Sequence, residues 1–485
     1  MPPSSPLPEI RLAGFLNSGL GIGETGRRIA RCLQTAGVPV LTHAWEKHDV
    51  ATVPFETSTA SPSGAGPGIS LLSMNADQIP SFLHQAGPSF TDQKYVICVW
   101  FWELPELSPG MEEGFRQVDE VWVATPFIQQ ALLKRSGDVP VHLFPHPVEA
   151  CSGSAAEGRK RFPLEDRFVF LFAFDYQSCA KRKNPSGVCE AFVRAFPEAS
   201  GSGPLCVIKS INAALHPVDH ALLKRRWASR PDILFLDDFL SPADRDLLCW
   251  RADACVSLHR SEGLGLTLLE GMAIGKPCIA TDYSGNTAFM SPETAWPVPW
   301  QPVPVGRGSL HYEATQVWAE PDPAAAAAAM REVFEGGPEV ARRAAAGQES
   351  ILRQYHPVLC GKGMLGLLEK AATLKPRKKP PLPGRRTANE ALKKVKELED
   401  RIRQSTPSRW KLPSNLTATR NDMIQLAAAQ RHALVQLSAA LKFQDQQAKT
   451  RHQYLLRHNE RLADQLEELI RSLPSGQPAG GAPHS

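Results

Sequence analysis

Short apolar runs alternate with longer stretches of helical period through the first part of this 485-residue chain. Residues 9–16 (Glu-Ile-Arg-Leu-Ala-Gly-Phe-Leu) read as a strand, 19–24 as a glycine-rich turn, 25–36 as a helix closed by Gly37, and 38–43 as the next strand. Strand, turn, helix, strand is the repeating unit of a parallel α/β sheet. Further strands are predicted at 69–73, 94–101, 119–124 and 141–145, with helical segments between them. The Ser-, Pro- and Gly-rich stretch 57–68 reads as a loop, and a first domain spans 1–148. A second series follows a loop at 152–159. It has strands at 167–174, 205–210, 232–236, 253–257 and 277–281, and helices at 184–195, 217–228, 241–251 and 265–274. Helices at 324–335, 338–355 and 357–372 complete a second domain, 149–373. Its first strand, Phe168-Val169-Phe170-Leu171-Phe172-Ala173, is unbroken in its apolarity, as expected for a sheet covered on both faces.

The pattern changes at Leu374. Residues 374–386 are basic and Pro-rich and predict an extended linker. Polar helical stretches follow at 387–404 and 417–473, broken near Pro407 and Pro413. Leu455, Leu462 and Leu469 recur every seven residues, with Leu466 and Leu473 four after the last two and Asn459 on the same seam. That is a short coiled-coil signal, although Arg431 and Asp445 spoil the earlier heptads. Self-association and docking to a partner are both open readings of the tail. Residues 474–485 are expected to be disordered.

Composition narrows the classes. The formal net charge is only +4, so the whole molecule is not built for a polyanion, and no nucleic-acid partner is expected. No apolar run is long enough to span a bilayer, and the opening Met-Pro-Pro-Ser-Ser-Pro is unlike a secretory leader. The ten cysteines are scattered without metal spacing, several inside apolar runs. A reducing, cytoplasmic setting is the expectation.

The strongest candidate chemistry lies at Ser257-Leu258-His259-Arg260-Ser261-Glu262-Gly263-Leu264-Gly265-Leu266-Thr267-Leu268-Leu269-Glu270-Gly271-Met272-Ala273. An apolar strand ends, a glycine-bearing turn follows, and a helix begins near Gly265. Helix N-termini present unpaired N–H groups, which can hold anions and sugar hydroxyls. Taken alone, Glu262 and Glu270 could be a capping acid and a solvated helix acid. On the open edge of a parallel sheet both can instead face one ligand crevice.

The wider segment resembles the signature of family 4 glycosyltransferases, retaining enzymes of the GT-B fold: Glu, seven residues, Glu, usually with Gly-Phe-Gly after the first acid. Here Leu264 stands for the usual Phe, and Gly271 for a common Ala. Gly275-Lys276-Pro277-Cys278-Ile279-Ala280-Thr281 and Ser284-Gly285-Asn286 are also similar to that family. The resemblance implies that Glu262 and the amides of Gly263, Leu264, Gly265 and Leu266 hold the donor sugar, and that Glu270 binds the nucleotide ribose.

A second cluster is Ser178-Cys179-Ala180-Lys181-Arg182-Lys183-Asn184-Pro185, after a strand and before a helix. Its cations suit a leaving diphosphate, which Lys or Arg can stabilise without a metal; a basic surface loop is the plainer alternative. Lys183 matches the family's Lys, whereas Ser178 stands where its Arg would be. The diphosphate contact is therefore assigned to Lys183 and, with it, Arg182. Lys209, at a strand end, is a further donor contact or a surface lysine. In the first domain Gly21 resembles the family's cleft glycine, and Trp102 and Glu103 are expected to line the acceptor side. His146 and His259 are other cleft candidates, though buried, hydrogen-bonded histidines are the commoner outcome. Asp244 and Asp246 fall inside a predicted helix, so no metal site is expected.

The function expected is retaining transfer of a sugar from a UDP- or GDP-linked donor to a glycan or lipid-linked acceptor, as in surface polysaccharide or glycoconjugate synthesis. No cofactor is expected; the nucleotide-sugar is a co-substrate. The basic linker is expected to lean on anionic lipid at the inner face of the membrane. Two other classes remain at this point. One is an NAD-type oxidoreductase on the first domain, against which stand the spacing of Gly19, Gly21 and Gly23 and the lack of an acid after the second strand. The other is a non-catalytic scaffold acting through the tail.

Overall fold

A computed structural model of the chain describes residues 7–45, 52–56, 66–199, 202–306, 309 and 312–382. The helical stretches, leucine seam and terminal segment expected beyond 386 lie outside the described residues, as do 383–386 of the linker.

The first sheet contains β1 (Glu9–Gly14), β2 (Val40–Ala44), β3 (Gly68–Ser73), β4 (Lys94–Trp100), β5 (Glu120–Val123) and β6 (Val141–Leu143). Their order is β2-β1-β3-β4-β5-β6, and every pair is parallel. Helices α1 (Gly21–Thr35), α2 (Ile79–Ala86) and α3 (Pro126–Leu133) belong to this half. The second sheet contains β7 (Val169–Asp175), β8 (Leu205–Ile211), β9 (Ile233–Leu236), β10 (Ala254–Ser257), β11 (Cys278–Thr281) and β12 (Trp296–Val298). It runs β12-β11-β10-β7-β8-β9, again all parallel. The remaining helices are α4 (Ala155–Arg161), α5 (Ala180–Lys183), α6 (Pro185–Ala195), α7 (Pro217–Arg226), α8 (Pro242–Arg251), α9 (Leu266–Ala273), α10 (Pro323–Glu335), α11 (Pro338–Tyr355) and α12 (Pro357–Ala372). The two successive α/β units read from the periodicity are present.

Strand order reverses between β1 and β3 in one sheet and between β7 and β10 in the other. In open parallel sheets such reversals leave a crevice at the carboxyl ends of the strands, because the two flanking connections leave toward opposite faces. The turns after β7 and β10 therefore lie side by side, and these turns carry Lys183 and Glu262.

Several elements differ from expectation for local reasons. Helix α1 begins at Gly21 rather than Thr25. The glycines serve close packing: a Cβ on Gly23 would lie 2.5 Å from the Phe15 carbonyl oxygen. The loop expected at 152–159 is mostly α4, whose N-cap Ser154 accepts from Glu157 N, so its Ser-rich start is a cap and not a coil. The single helix expected over 184–195 is preceded by the short α5. Asn184 separates α5 from α6 with φ of 58° and caps α6 through Gly187 N, with Pro185 in the first turn. An antiparallel pair, β13 (Trp300–Pro304) and β14 (Val317–Pro321), follows β12 and was not anticipated.

Chain order and packing part company at the end. Helix α12 lies on α1 of the first half: the Cys32 thiol donates to the Pro357 carbonyl at 2.7 Å, and a Cβ on Gly361 would meet the Cys32 carbonyl oxygen at 2.8 Å. The start of the basic segment follows it there. Arg377 N and Lys379 Nζ each donate at 2.5 Å to the carboxylate of buried Asp119. The described start of the extended basic segment, up to Pro380, is thus strapped to the first half by these contacts and by Gln117 Nε2 donating to Pro380 O at 3.4 Å. Among the described residues no helix is long and apolar enough to cross a membrane.

Candidate active site

The site forms where the turns after β7 and β10 are knitted together. Asn184 Nδ2 donates to Leu258 O at 2.8 Å, Arg260 N to Arg182 O at 2.7 Å, and an Arg182 guanidinium nitrogen to Ser261 O at 2.6 Å. These bonds satisfy loop backbone that is buried and has no ladder partner. Glu262 is held next: its N–H donates to Ser284 Oγ at 2.7 Å, and its carbonyl accepts from Gly285 N at 2.8 Å.

The Glu262 carboxylate receives Lys183 Nζ on Oε1, and Arg182 Nη1 lies 3.3 Å from Oε2. Burial alone would raise this carboxyl. The fields of Lys183, Arg182 and His259 outweigh that, and its pKa falls to about 2. Arg182 is itself buried, with its remaining fork 3.8 Å from Glu103 Oε1. Glu103, from the segment after β4, also accepts from Tyr312 OH at 3.0 Å, and its carbonyl takes the Ser261 hydroxyl. Glu103, Arg182, Glu262 and Lys183 thus form one line of alternating charge across the two halves.

The turn after Glu262 is backbone at a contact surface. Gly263 O accepts from Thr125 Oγ1 at 3.0 Å, and a Cβ on Gly263 would come within 3.3 Å of Trp102 O. Gly265 caps α9 with φ of +88°, without a side-chain bond, so the first N–H groups of the helix are not taken by a capping side chain. Leu264 is buried where the family's Phe would stand, and Leu266 opens the helix half-buried.

Glu270 does not join this line. It sits on α9, buried, with Oε1 against Arg28 Nη2 of α1 and 3.9 Å from Arg245 Nη2. Gly271 beside it is explained by its neighbours: an added Cβ would lie 2.7 Å from Cys255 Sγ and 3.3 Å from Cys278 Sγ. Ala, common in the family here, has no room over these two thiols.

Other expected residues fall as follows. Lys209 is buried and donates to Ser210 O at 2.6 Å and Asp238 O at 2.7 Å, and burial brings its ammonium down to about 8. These bonds turn it toward its own strand end, not toward Glu262. Ser178 is half-buried in a one-turn 3-10 helix and bonds no described side chain. Gly21 starts α1 in open space. Trp102 is buried, its indole N–H donating to Glu106 O at 3.0 Å, with its ring edge-on to Tyr312 at 5.7 Å. His146 and His259 are both fully buried. His146 meets Thr25 Oγ1 at 3.0 Å, and burial brings its pKa down to about 3. His259 is held between Ser257 Oγ and Asn286 Oδ1, each at 3.0 Å. Asp244 and Asp246 lie inside α8, engaged by Arg161 and by Ser152 N. Sequence reading missed Arg28, Glu24 and Tyr312, and singled out Ser284 without its bond to the Glu262 N–H. The one available signal was the charged trio Glu24, Arg27 and Arg28 on the face of a helix that must be buried.

Comparison with known proteins bears on the fold and on one segment of the second half. Residues 234–295, from β9 to the start of β12, match the family described as glycosyl transferases group 1. No curated protein matched the sequence. A glycosyltransferase from Rickettsia africae ESF-5 superposes with a TM-score of 0.55 at 14% identity, over 76% of this chain and 100% of that one. Anabaena Alr3699/HepE, in complex with UDP and glucose, gives 0.52 at 11% identity over 75% and 100%. Sucrose-phosphate synthase from Thermosynechococcus elongatus gives 0.51 at 16% over 75% and 98%. At such identities the likeness is one of fold. The two halves thus share the GT-B fold of these proteins, and within the second half residues 234–295 are similar to glycosyl transferases group 1.

Proposed function

We propose that this chain is a retaining glycosyltransferase that moves a sugar from a UDP- or GDP-linked donor to a glycan or lipid-linked acceptor. The observation that carries the reading is the Lys183–Glu262 pair at the strand-order reversal, beside the uncapped N-terminus of α9. A donor entering there separates the pair. Lys183 turns to the diphosphate, and Glu262 accepts from sugar hydroxyls. The anomeric C–O bond to phosphate breaks, and the acceptor oxygen adds on the same face. The acceptor proton ends on the leaving phosphate oxygen. Lys183 and the α9 amides supply the electrostatic stabilisation of that oxygen, so no metal or cofactor is required. The acceptor approaches from the first half, past Gly21 and Glu103. The Anabaena structure with UDP and glucose supports a uridine nucleotide first.

The test is a donor-hydrolysis and transfer screen over UDP- and GDP-sugars with the purified chain, with product stereochemistry read by NMR. Turnover with retained configuration is expected. Binding of NAD in place of both nucleotides, or inversion at the anomeric carbon, would overturn the reading. The cytoplasmic setting, membrane lean and tail association belong to the same proposal. Lys379 is already engaged by Asp119, so anionic-liposome binding should depend on Lys375, Arg377, Lys378, Arg385 and Arg386. Neutralising those five should abolish it.

A further inference from the structure

Arg28 is among the most completely buried charged residues, at 2% exposure, and sits on α1 of the first half. Its Nε donates to Glu24 Oε1 at 2.9 Å, and its Nη2 reaches Glu270 Oε1 on α9 of the second half. Glu24 also receives Arg27, at 3.0 Å from Nε and 2.7 Å from Nη2. Arg27 in turn donates to Leu16 O at 2.8 Å and Ser18 O at 2.7 Å. The turn after β1 is thereby tied, through two arginines and one acid, to the second signature acid.

Two features make this more than packing. Arg28 Nη1 is buried yet has no hydrogen-bond partner among the described residues. A buried, charged donor left unsatisfied is costly unless a ligand supplies the acceptor. Among the described residues, Arg28 and Arg245 both approach Glu270 at Oε1, which leaves Oε2 to accept. Stability does not demand the pair either, since well-packed apolar residues commonly replace buried ion pairs at no loss.

We propose that Arg28 is a positioning residue for the ribose end of the nucleotide. It holds Glu270 by one oxygen, so that the other meets the ribose hydroxyls, while its free Nη1 takes an acceptor oxygen of the same ligand. Because Arg28 comes from the other half of the molecule, ribose recognition requires both halves in contact. This rests on the nucleotide-sugar reading above. Lysine cannot replace it, since one ammonium does not span Glu24 and Glu270 with fixed geometry.

The test is calorimetric titration of the full chain, wild type and Arg28→Met, with three probes: UDP (or GDP, whichever binds), its 2′,3′-dideoxy counterpart, and inorganic pyrophosphate. The wild type should prefer the ribonucleotide about tenfold or more, equivalent to roughly 1.4 kcal/mol. In Arg28→Met that preference should collapse toward unity with pyrophosphate affinity unchanged. A purely structural role would weaken all three probes together. Either that result or a retained ribose preference overturns the proposal. If Arg28→Met does not fold, Arg28→Lys serves: a reduced preference supports the proposal and an undiminished one overturns it. A wild type that binds neither nucleotide would instead sink the nucleotide-sugar reading itself.

Discussion

Glu262 and Glu270 belong to one turn and one helix, yet their surroundings are built differently. Glu262 takes its cations from Lys183 and Arg182, on the turn next door in the same sheet. Glu270 takes its closest cation from Arg28, on a helix of the other half, with Arg245 of its own half 3.9 Å away. The first environment follows from strand order, because a reversal brings two turns together whatever the rest of the molecule does. The Arg28 contact in the second exists only when the halves pack. Under the proposed function, donor sugar and diphosphate would be met by one half, and the ribose by a contact between the two.

The largest expected effect is on the Glu262 side. Lys183→Ala should lower kcat by about 10²–10³-fold or more, as removal of a transition-state electrostatic partner does. Circular dichroism should be unchanged, because Arg182 still faces the carboxylate; wild-type turnover would remove Lys183 from the site. Next is acid. Glu262 and Glu24 both sit at about 2 against an ordinary 4.5. A depressed carboxyl stabilises the fold above its unfolded value and loses that contribution as pH falls. Each should contribute about 3 kcal/mol that disappears between roughly pH 4.5 and 2. Urea unfolding across that window should show the loss, and Glu262→Gln should flatten it by about half. An unchanged slope would mean that the pairs do not form in solution.

Gly271→Ala sharpens the contrast, since it disturbs the helical turn bearing Glu270 and leaves Glu262 alone. The new methyl meets Cys255 Sγ, so a destabilisation of about 1–3 kcal/mol is expected. Cys255→Ala should relieve part of it in a double-mutant cycle, and additive losses would refute the clash. The smallest effect is Ser284→Ala. It leaves the Glu262 N–H without its acceptor, costing about 1 kcal/mol and raising the donor KM with little change in kcat. A drop in kcat with constant KM would argue that Ser284 acts on the reaction, not on the position of Glu262.

Much of this was legible in the sequence. Unbroken apolar runs such as 168–173 mark strands of a doubly covered sheet, and glycine-bearing turns mark their carboxyl ends. Glu262, Gly265 and Lys183 sit on those turns, so local pattern located them. The antiparallel pair β13–β14 was not legible, because its prolines and aromatics lack an alternating pattern. Nor was α4, whose cap serine reads like a loop residue. The contacts of Lys209 were not legible for a related reason: strand position says which end a side chain occupies, but the nearest carbonyls, Ser210 O and Asp238 O, decide where its ammonium goes.

What the sequence by itself determined is the order of elements and the identity of the groups at strand ends, since both depend on periodicity and turn chemistry within short windows. What only the tertiary structure decided is how those groups are paired. Residues 28 and 270, 103 and 182, and 119 and 379 are far apart along the chain. Their charges meet only because two sheets, α12 and the strap to Pro380 fold back on one another, and an unpaired charge would be costly where the partner is buried.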